Sequence, residues 1–408
     1  MRTQNQIRTE TILSIMMIGF TVSIIFKYIL SQYLNMDFPH DTFLFPPDDR
    51  FRDFFTNFSQ THSLDTYLNK PNLVIANYFP FIYLIIYPLT FFDAYTATYI
   101  YSFIFYMSAI FVSVYFVNRL DYEMTVSYKV FTTFILTFMN YGMLFCFDRG
   151  NAEVSLYIFL ALSFIYYSKN NKKLFIFFLV LTTLIKPYAG LYSLVLLNIN
   201  KIRESIISYL YFLLSLVVFF IAMMLLFSGN VFENISNLFK NSSVVDVIYD
   251  IKTMYYYSAS ILEPLKFFLI KFNSPYSVEI VAKTITFITL LVSFFIIAIN
   301  NRFLWKKVTL ITCMLVCLTP ISFDYKLILF TLPIFLFITS QELESDFKSY
   351  IYAFLLGLIV IPKDYYYFSE LNDAVSNYHT SVAVLINPIL IYLLIIILFF
   401  DMFKSRGK

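Results

Sequence analysis

The stretch Phe147-Asp148-Arg149-Gly150-Asn151 separates two apolar runs, Tyr128–Phe147 and Ala152–Tyr167. Each run is close to the roughly 17–25 residues that a helix needs to cross a bilayer. A charged pair at such a place is costly and is by default functional. Further along the chain, Lys186-Pro187-Tyr188 makes a second polar break in an apolar region. The two breaks predict a polytopic membrane protein with a polar site, not a passive anchor.

The composition excludes an ordinary soluble domain. The 408 residues are 59% hydrophobic and 13% charged, with a mean hydropathy of +0.72. Soluble domains are about 45–50% apolar and about 25% charged. The net charge of +3 comes without a dense basic cluster, so no nucleic-acid partner is expected. The three cysteines lie in apolar stretches, which gives neither a disulfide framework nor a metal-ligand spacing.

The apolar runs predict an all-α bundle of about twelve membrane spans in a single domain, residues 1–408. The predicted spans are Thr11–Leu34, Ala94–Val117, Val126–Phe147, Ala152–Tyr167, Leu174–Ile185, Tyr188–Asn198, Ile206–Phe227, Val278–Ile299, Val308–Leu318, Leu327–Thr339, Tyr350–Ile361 and Val382–Phe403. Asn77–Phe92 is also apolar, but it contains Pro80 and Pro88. We interpret it as re-entrant or interfacial, which is permitted where protein covers the backbone.

The distribution of charge predicts the orientation. Of the 29 Lys and Arg residues and the 26 Asp and Glu residues, 16 and 8 fall in the loops that a cytoplasmic N-terminus places inside. Cytoplasmic loops carry the excess of Lys and Arg. Both termini are therefore predicted to be cytoplasmic. The two long loops, 35–93 and 228–277, and both polar breaks then lie on the other side of the membrane.

The first long loop contains a predicted amphipathic helix that starts near Pro47 and Asp48. Its apolar face consists of Phe51, Phe54, Phe55 and Phe58. Its polar face consists of Asp49, Arg52, Asp53 and Thr56. Such a helix lies in the membrane interface, where a carboxylate can meet both a soluble hydroxyl and a lipid headgroup. The alternative is an ordinary interfacial helix whose charges are solvated.

The polar breaks indicate an anion site. Asn151 can cap the following helix, Gly150 allows close approach, and Arg149 adds a positive charge to the helix N-terminus. The alternative is a capped hairpin with a local Asp148–Arg149 pair. Lys186 either extends to the interface or faces a phosphate.

Elsewhere the signals are weaker. Asp324 and Lys326 form a short outer hairpin or a phosphate contact. The sequence contains no Gly-rich phosphate loop, so a cytosolic nucleotide-sugar or ATP site is not expected.

Four elements together resemble the GT-C superfamily of membrane glycosyltransferases. They are the acidic first loop, Asn77-Tyr78-Phe79-Pro80, Arg149-Gly150-Asn151 and Lys186-Pro187-Tyr188. Their order is similar to that of the GPI mannosyltransferase I family and closer to the bacterial relatives grouped as glycosyltransferase family 87. Two positions differ from the mannosyltransferase pattern: Phe51 stands where the first acidic residue of the loop is expected, and the Pro187-Tyr188 order is reversed.

The resemblance implies an inverting hexosyltransferase in a bacterial inner (plasma) membrane. The donor would be a polyprenyl-phosphate sugar, with mannose or another hexose, and the acceptor a lipid or a glycan. No cofactor is implied, and a divalent metal stays open. The implied residues are Asp53 as the base with Asp49 as second choice; Arg149, Lys186, Lys326 and Asn151 for the donor phosphate; and Tyr78, Tyr188 and Asp324 for the substrate.

Two other functions remain open at this point. A flippase or carrier of a lipid-linked sugar would use the same basic groups without a base at Asp53. An oligosaccharide polymerase or ligase shares the lipid-phosphate chemistry, but it usually has a large outer loop late in the chain, where the late loop 362–381 here is short.

The predicted orientation is testable with single cysteines in intact cells. We expect cysteines at Lys172 and Arg203 to be protected from an impermeant reagent, because both lie in predicted cytoplasmic loops. Cysteines at Asp65 and Ser243 should react. Labelling of position 172 from outside would overturn the orientation.

Overall fold

The computed structural model describes residues 3–33, 50–61, 64–68, 76–120, 122–248, 258–271, 278–300, 303–319, 322–341, 345–363, 367–368, 380–381 and 383–404. In these ranges the chain is helical apart from one two-residue strand pair, Tyr367–Phe368 with Thr380–Ser381. The all-α prediction is therefore confirmed for the described residues.

The described residues form α-helices and shorter 3₁₀ helices. The α-helices are α1 Gln4–Tyr33, α2 Arg52–Thr61, α3 Pro80–Ile86, α4 Ala94–Val117, α5 Val126–Phe138, α6 Tyr141–Arg149, α7 Glu153–Ser168, α8 Lys172–Thr183, α9 Ile202–Met224, α10 Val231–Ile248, α11 Leu262–Lys271, α12 Val278–Ile299, α13 Leu304–Cys317, α14 Thr331–Ile338, α15 Asp346–Val360 and α16 Ala383–Lys404. The 3₁₀ helices are Tyr87–Phe91, Pro187–Leu196, Ile199–Lys201 and Asp324–Phe330.

Polar side chains set several of the helix starts. Asp93 accepts hydrogen bonds from two backbone amides in the first turn of α4, and Thr125 accepts one at the start of α5. Asn140 caps α6 in the same way. These caps satisfy amides that the helix itself leaves without a partner.

Within the described residues, five helices are long and apolar enough to cross a membrane by themselves. They are α1 over Gln4–Phe26, α4, a helical stretch Ile199–Met224 that includes α9, α12 over Ile280–Ile299, and α16. The predicted span Val126–Phe147 is instead two helices, α5 and α6, that meet at 57°. Counted as one broken span, they raise the number to six.

Other predicted spans form helices too short to cross alone. The 12-residue α8 is about 18 Å long at about 1.5 Å per residue, against a hydrocarbon core of about 30 Å. The count of about twelve spans therefore stays a prediction. Asn77–Phe92 contains α3 and a 3₁₀ helix, both short.

Burial separates central from peripheral helices. All residues of α13 from Trp305 to Cys317 are buried, as are all eight of α14. By contrast, α9 exposes large apolar side chains such as Leu210, Leu214 and Val218. An apolar surface of this extent is costly in water and natural against lipid tails. The pattern fits a bundle whose central helices are shielded and whose outer helices face lipid.

One end of the bundle is held by buried ionic contacts. Asp401 near the end of α16 pairs with Lys306 of α13 at 2.5 Å and also with Lys348 of α15. The Arg8 guanidinium of α1 donates to the carbonyl oxygens of Phe337 and Ser340 at 3.2 and 3.0 Å. These contacts tie α1 to the end of α14, and α16 to α13 and α15.

The helix α6 packs against the 3₁₀ helix Asp324–Phe330 at a position that has room only for glycine. A Cβ on Gly142 would lie 2.5 Å from the carbonyl carbon of Leu327, and backbone atoms cannot rotate away as a side chain can. We expect Gly142→Ala to lower the free energy of unfolding by about 1–3 kcal/mol, the usual cost of overpacking. Thermal unfolding of the protein in detergent measures this loss of stability.

The matched control is Gly190→Ala in the 3₁₀ helix Pro187–Leu196. There the nearest atom to the added Cβ is a side-chain methyl, Cγ2 of Thr183, at 3.3 Å. This variant should lose clearly less stability. Equal losses would show that the backbone contact at Gly142 is not the source of the effect.

Candidate functional site

The end of α6 creates a docking place for α2. Gly150 adopts a left-handed conformation with φ +61°, which ends α6 and turns the chain toward α7. A Cβ at Gly150 would lie 2.7 Å from Cβ of Phe54, so the absence of a side chain lets α2 approach. The backbone amide of Phe51 also donates to the carbonyl oxygen of Asp148 at 2.8 Å. The segment Phe51–Thr61 is thus seated on the loop between α6 and α7.

The apolar face of α2 packs in part against the protein. Phe54 is fully buried, with its ring centroid 4.9 Å from that of Tyr101 in α4, and Phe55 contacts Tyr95 of α4 at 5.8 Å. The predicted helix is present, but it begins at Arg52 and not near Pro47 and Asp48, because Phe51 has a positive φ of 54° in a turn. Its place at a membrane interface stays a prediction.

Docking of α2 brings Asp53 to the polar segment Asp148–Asn151 between α6 and α7. Oδ1 of Asp53 accepts from Nη2 of Arg149 at 2.6 Å, and Oδ2 accepts from Nδ2 of Asn151 at 2.6 Å. The Arg149 and Asp53 side chains are each 20% exposed. Asn151 also caps α7, since its Oδ1 accepts from the amide of Glu153 at 3.0 Å. One short loop therefore starts a helix and fixes a carboxylate from a distant segment.

A second ion pair lies directly behind this loop. Glu153, in the first turn of α7, is fully buried, and its Oε1 accepts from Nζ of Lys186 at 2.8 Å. The hydroxyl of Tyr188 donates to the same oxygen. Burial alone would lower the pKa of Lys186, but the adjacent Glu153 carboxylate outweighs it and raises the pKa. Lys186 therefore stays protonated, as the interior pair requires.

Two tyrosine rings flank the Lys186 ammonium group, and a third lies beside Lys326. Nζ of Lys186 lies 4.9 Å from the ring centroid of Tyr78 and 5.0 Å from that of Tyr325, both within cation–π range. Nζ of Lys326 lies 4.9 Å from the ring of Tyr188. Tyr78, Tyr188 and Tyr325 are only partly buried, so this cluster reaches the surface of the protein.

Two hydrogen bonds hold α3, which follows Tyr78 in the chain, in this place. The amide of Phe81 donates to the carbonyl oxygen of Leu184 at 3.0 Å, which ties α3 to the segment before Lys186. The Tyr83 hydroxyl of α3 donates to Oε1 of Gln60 in α2 at 3.1 Å. Segments 52–61, 76–86 and 184–188 therefore form one polar cluster with the loop between α6 and α7.

Most of the predicted site residues meet in this cluster. Asp53, Arg149, Asn151, Lys186, Tyr78, Tyr188 and Lys326 are linked by the contacts above. Asp49 lies outside the described residues.

Asp324 makes a different set of contacts from its neighbour Lys326. Its Oδ2 accepts from the Tyr141 hydroxyl at 3.0 Å, which directs the carboxylate toward α6. Burial raises the pKa of Asp324 to about 6 and lowers that of Lys326 to about 8. Asp324 is therefore placed as a helix-packing contact, and Lys326 as a buried cation beside the Glu153 pair.

The arrangement suits an anionic ligand. Three basic side chains, Arg149, Lys186 and Lys326, lie within this cluster beside the acidic Asp53 and Glu153. Among the residues that the structure describes, no group of three or more His, Cys, Asp or Glu side chains could hold a metal ion. An anion beside a helix N-terminus and these basic groups is a suitable ligand.

Glu153 was missed by the sequence analysis. It is the single charged residue of the apolar run Ala152–Tyr167, and an isolated carboxylate in such a run needs a buried partner. The sequence therefore indicated that Glu153 has a buried partner. It did not indicate which residue this is, because Lys186 is 33 positions away and only the fold brings the two together.

Comparison with protein families gives one result. The model described as glycosyltransferase family 87 matches residues 77–320, more than half of the chain. Tyr78, Arg149, Glu153 and Lys186 lie inside the matched region, and Asp53 lies outside it. Comparison with curated proteins gives no match.

The two ion pairs differ in burial, which predicts different costs of breaking them. Lys186→Met leaves the Glu153 carboxylate buried without its cation, and we expect a loss of about 3–5 kcal/mol. Arg149→Met should cost less, because Asp53 keeps Asn151 and partial access to water. Thermal and denaturant unfolding of the detergent-solubilised protein measures both.

The double variant Glu153→Gln with Lys186→Met provides the control. It removes both charges, so it should regain most of the stability that Lys186→Met loses. If the double variant is as unstable as Lys186→Met alone, the lost stability comes from packing and not from the buried charge.

Proposed function

This chain belongs to glycosyltransferase family 87, and from that membership we propose that it transfers a hexose from a polyprenyl-phosphate donor to a lipid or glycan acceptor. Mannose is the first sugar to test. The apolar helices and the family make it a membrane glycosyltransferase. We place the reaction on the non-cytoplasmic side of a bacterial inner membrane, with both termini cytoplasmic and about twelve spans, on the basis of the charge distribution.

The observation that carries the proposal is a carboxylate fixed beside a cationic cluster. In a polyprenyl-phosphate sugar, the phosphodiester has one negative charge, which the basic side chains Arg149, Lys186 and Lys326 can meet. Asp53, held at 2.6 Å by both Arg149 and Asn151, has a defined orientation. Each carboxylate oxygen has about two lone-pair positions, so Asp53 keeps acceptor capacity for a hydroxyl.

The proposed reaction is a single displacement at the anomeric carbon. Asp53 takes the proton from the acceptor hydroxyl while the hydroxyl oxygen forms a bond to that carbon. The bond between the carbon and the phosphate oxygen breaks, and its electron pair leaves with the polyprenyl phosphate. Since the phosphate departs without a strong acid, one carboxylate is sufficient, whereas glycosidases use two. One displacement inverts the anomeric centre.

The cations are proposed to stabilise the departing phosphate. Arg149 has five N–H donors, so it can hold Asp53 and still donate to a phosphate oxygen. Lys186 and Lys326 supply two further positive charges near the tyrosines Tyr78 and Tyr188, which would contact the sugar. Charge that develops on the leaving group is then met by fixed cations, which lowers the barrier.

Asp53→Asn tests the proposed base. The change keeps the size of the side chain and removes its basicity, so label transfer from polyprenyl-phosphate [³H]mannose into lipids and glycans of reconstituted membranes should fall at least about 100-fold. Binding of the donor should persist. A polyprenyl-phosphate [³H]glucose donor, assayed in parallel, covers the second hexose.

Asp49→Asn is the matched control from the same loop and should have the milder effect. If Asp49→Asn abolishes transfer and Asp53→Asn does not, the base is Asp49. If neither variant loses activity, the single-carboxylate mechanism is wrong. A carrier would show movement of the donor across vesicles and no transfer in the unmodified protein.

A further inference from the structure

The second oxygen of Glu153 is the unusual feature of the buried ion pair. Lys186 and Tyr188 both donate to Oε1. Oε2 is buried and has no hydrogen-bond partner among the residues that the structure describes. A buried carboxylate oxygen without a donor costs about 1–3 kcal/mol or more. The folded chain therefore leaves a strong hydrogen-bond acceptor, Oε2 of Glu153, without a donor.

The surroundings of Glu153 show what kind of group this acceptor faces. It lies one hydrogen bond from Lys186, and Lys186 is flanked by the partly buried rings of Tyr78 and Tyr325. Asn151 connects the two acidic residues, since its side chain binds the Asp53 carboxylate and the backbone amide of Glu153. Glu153 is thus on the inner, buried side of the same cluster.

We propose that Oε2 of Glu153 accepts a hydrogen bond from a hydroxyl of the donor sugar, which makes Glu153 a specificity-determining residue of the site. This inference rests on the proposed function. A negatively charged oxygen cannot serve as a phosphate contact, whereas a sugar hydroxyl is a donor of the right kind. The two donors on Oε1 fix the orientation of the carboxylate, so that Oε2 points at one place.

The arrangement separates two tasks within one donor molecule. The cations bind the phosphate, and Glu153 binds the sugar. A site with a buried acceptor rejects an analogue that lacks the matching hydroxyl, because the acceptor is then left without a partner. We therefore expect Glu153 to affect the affinity for the glycosylated lipid more than the affinity for the sugar-free lipid.

Glu153→Gln gives a clean test because the direction of the amide is set by the fold. Lys186 and Tyr188 both donate toward Oε1, so the Gln oxygen should occupy that position. The NH₂ group then replaces Oε2, and an acceptor becomes a donor. The variant keeps the contacts of the pair while it reverses the hydrogen-bond character of the oxygen in question.

The measurement uses decaprenyl phosphate as its methyl ester, a sugar-free phosphodiester, and the mannosyl and glucosyl phosphodiesters, with the full-length protein in lipid nanodiscs. The quantity is the ratio of the Kd for the sugar-free lipid to the Kd for the tighter-binding glycosylated lipid. All three lipids carry one phosphate charge, so the changed charge at position 153 acts on them alike and cancels in the ratio. We expect Glu153→Gln to lower this ratio about tenfold or more, the loss of one charged hydrogen bond.

Asp401→Asn is the matched control, since it makes the same acid-to-amide change in another acid–lysine pair, outside the cluster of the site. Its ratio should equal that of the unmodified protein. An unchanged ratio in Glu153→Gln overturns the inference. Equal weakening of both lipids overturns it too, because Glu153 would then only compensate the charge of Lys186.

A test on the unmodified protein covers the case in which Glu153→Gln does not fold. Among monodeoxy forms of the tighter-binding glycosylated lipid, one should lose about tenfold in affinity or more; if none does, the inference fails while lipid-phosphate binding stands. If the unmodified protein binds neither the methyl ester of decaprenyl phosphate nor the glycosylated lipids, the proposed function itself fails.

Discussion

The buried Glu153–Lys186 pair is the constraint on which the site depends. A carboxylate with no exposure to water at the head of an apolar helix is tolerated only with a cation and further donors beside it. Lys186 and Tyr188 supply them, so the segment before the 3₁₀ helix Pro187–Leu196 must return to the start of α7. That return also brings the carbonyl oxygen of Leu184 to α3 and, through α3, fixes Tyr78 beside Lys186. The buried pair therefore helps to fix the relative positions of three segments: the start of α7, the segment before Pro187, and α3.

The Asp53–Arg149 pair has the opposite character. It is partly exposed, and its position comes from the backbone: Gly150 in the left-handed region, the Phe51 amide on the Asp148 carbonyl, and Phe54 packed against Tyr101. A pair with some access to water costs less to break than a fully buried one. The outer pair can therefore exchange a hydrogen-bond partner with less loss of structure than the inner pair.

Sequence patterns predicted the parts of this site that are local. Asn151 as a helix cap, Gly150 as a point of close approach, and helical spacing of Phe54, Phe55 and Phe58 follow from neighbours within a turn or two, and the structure has them. Hydropathy also predicted the all-α class. It did not show that Val126–Phe147 breaks at Asn140, because the break depends on a cap and on an Asn140–Thr331 contact at 2.9 Å that only the fold creates. The sequence did not show the role of Glu153 either, because only the fold brings its partner Lys186 close.

The seating of α2 changes how the position of Asp53 is controlled. A helix held only by lipid takes its depth and rotation from the membrane, and a carboxylate on it is placed only as well as the lipid surface is defined. Here the apolar face of α2 contacts α4, and its start is hydrogen-bonded to the loop between α6 and α7. Catalysis by a positioned base requires placement within about 0.5 Å. Contacts within the protein therefore set the distance of 2.6 Å between Asp53 and its two partners. The segment Arg52–Thr61 is thus part of the folded structure around the polar cluster, and under the proposed function the carboxylate is in place before a substrate arrives.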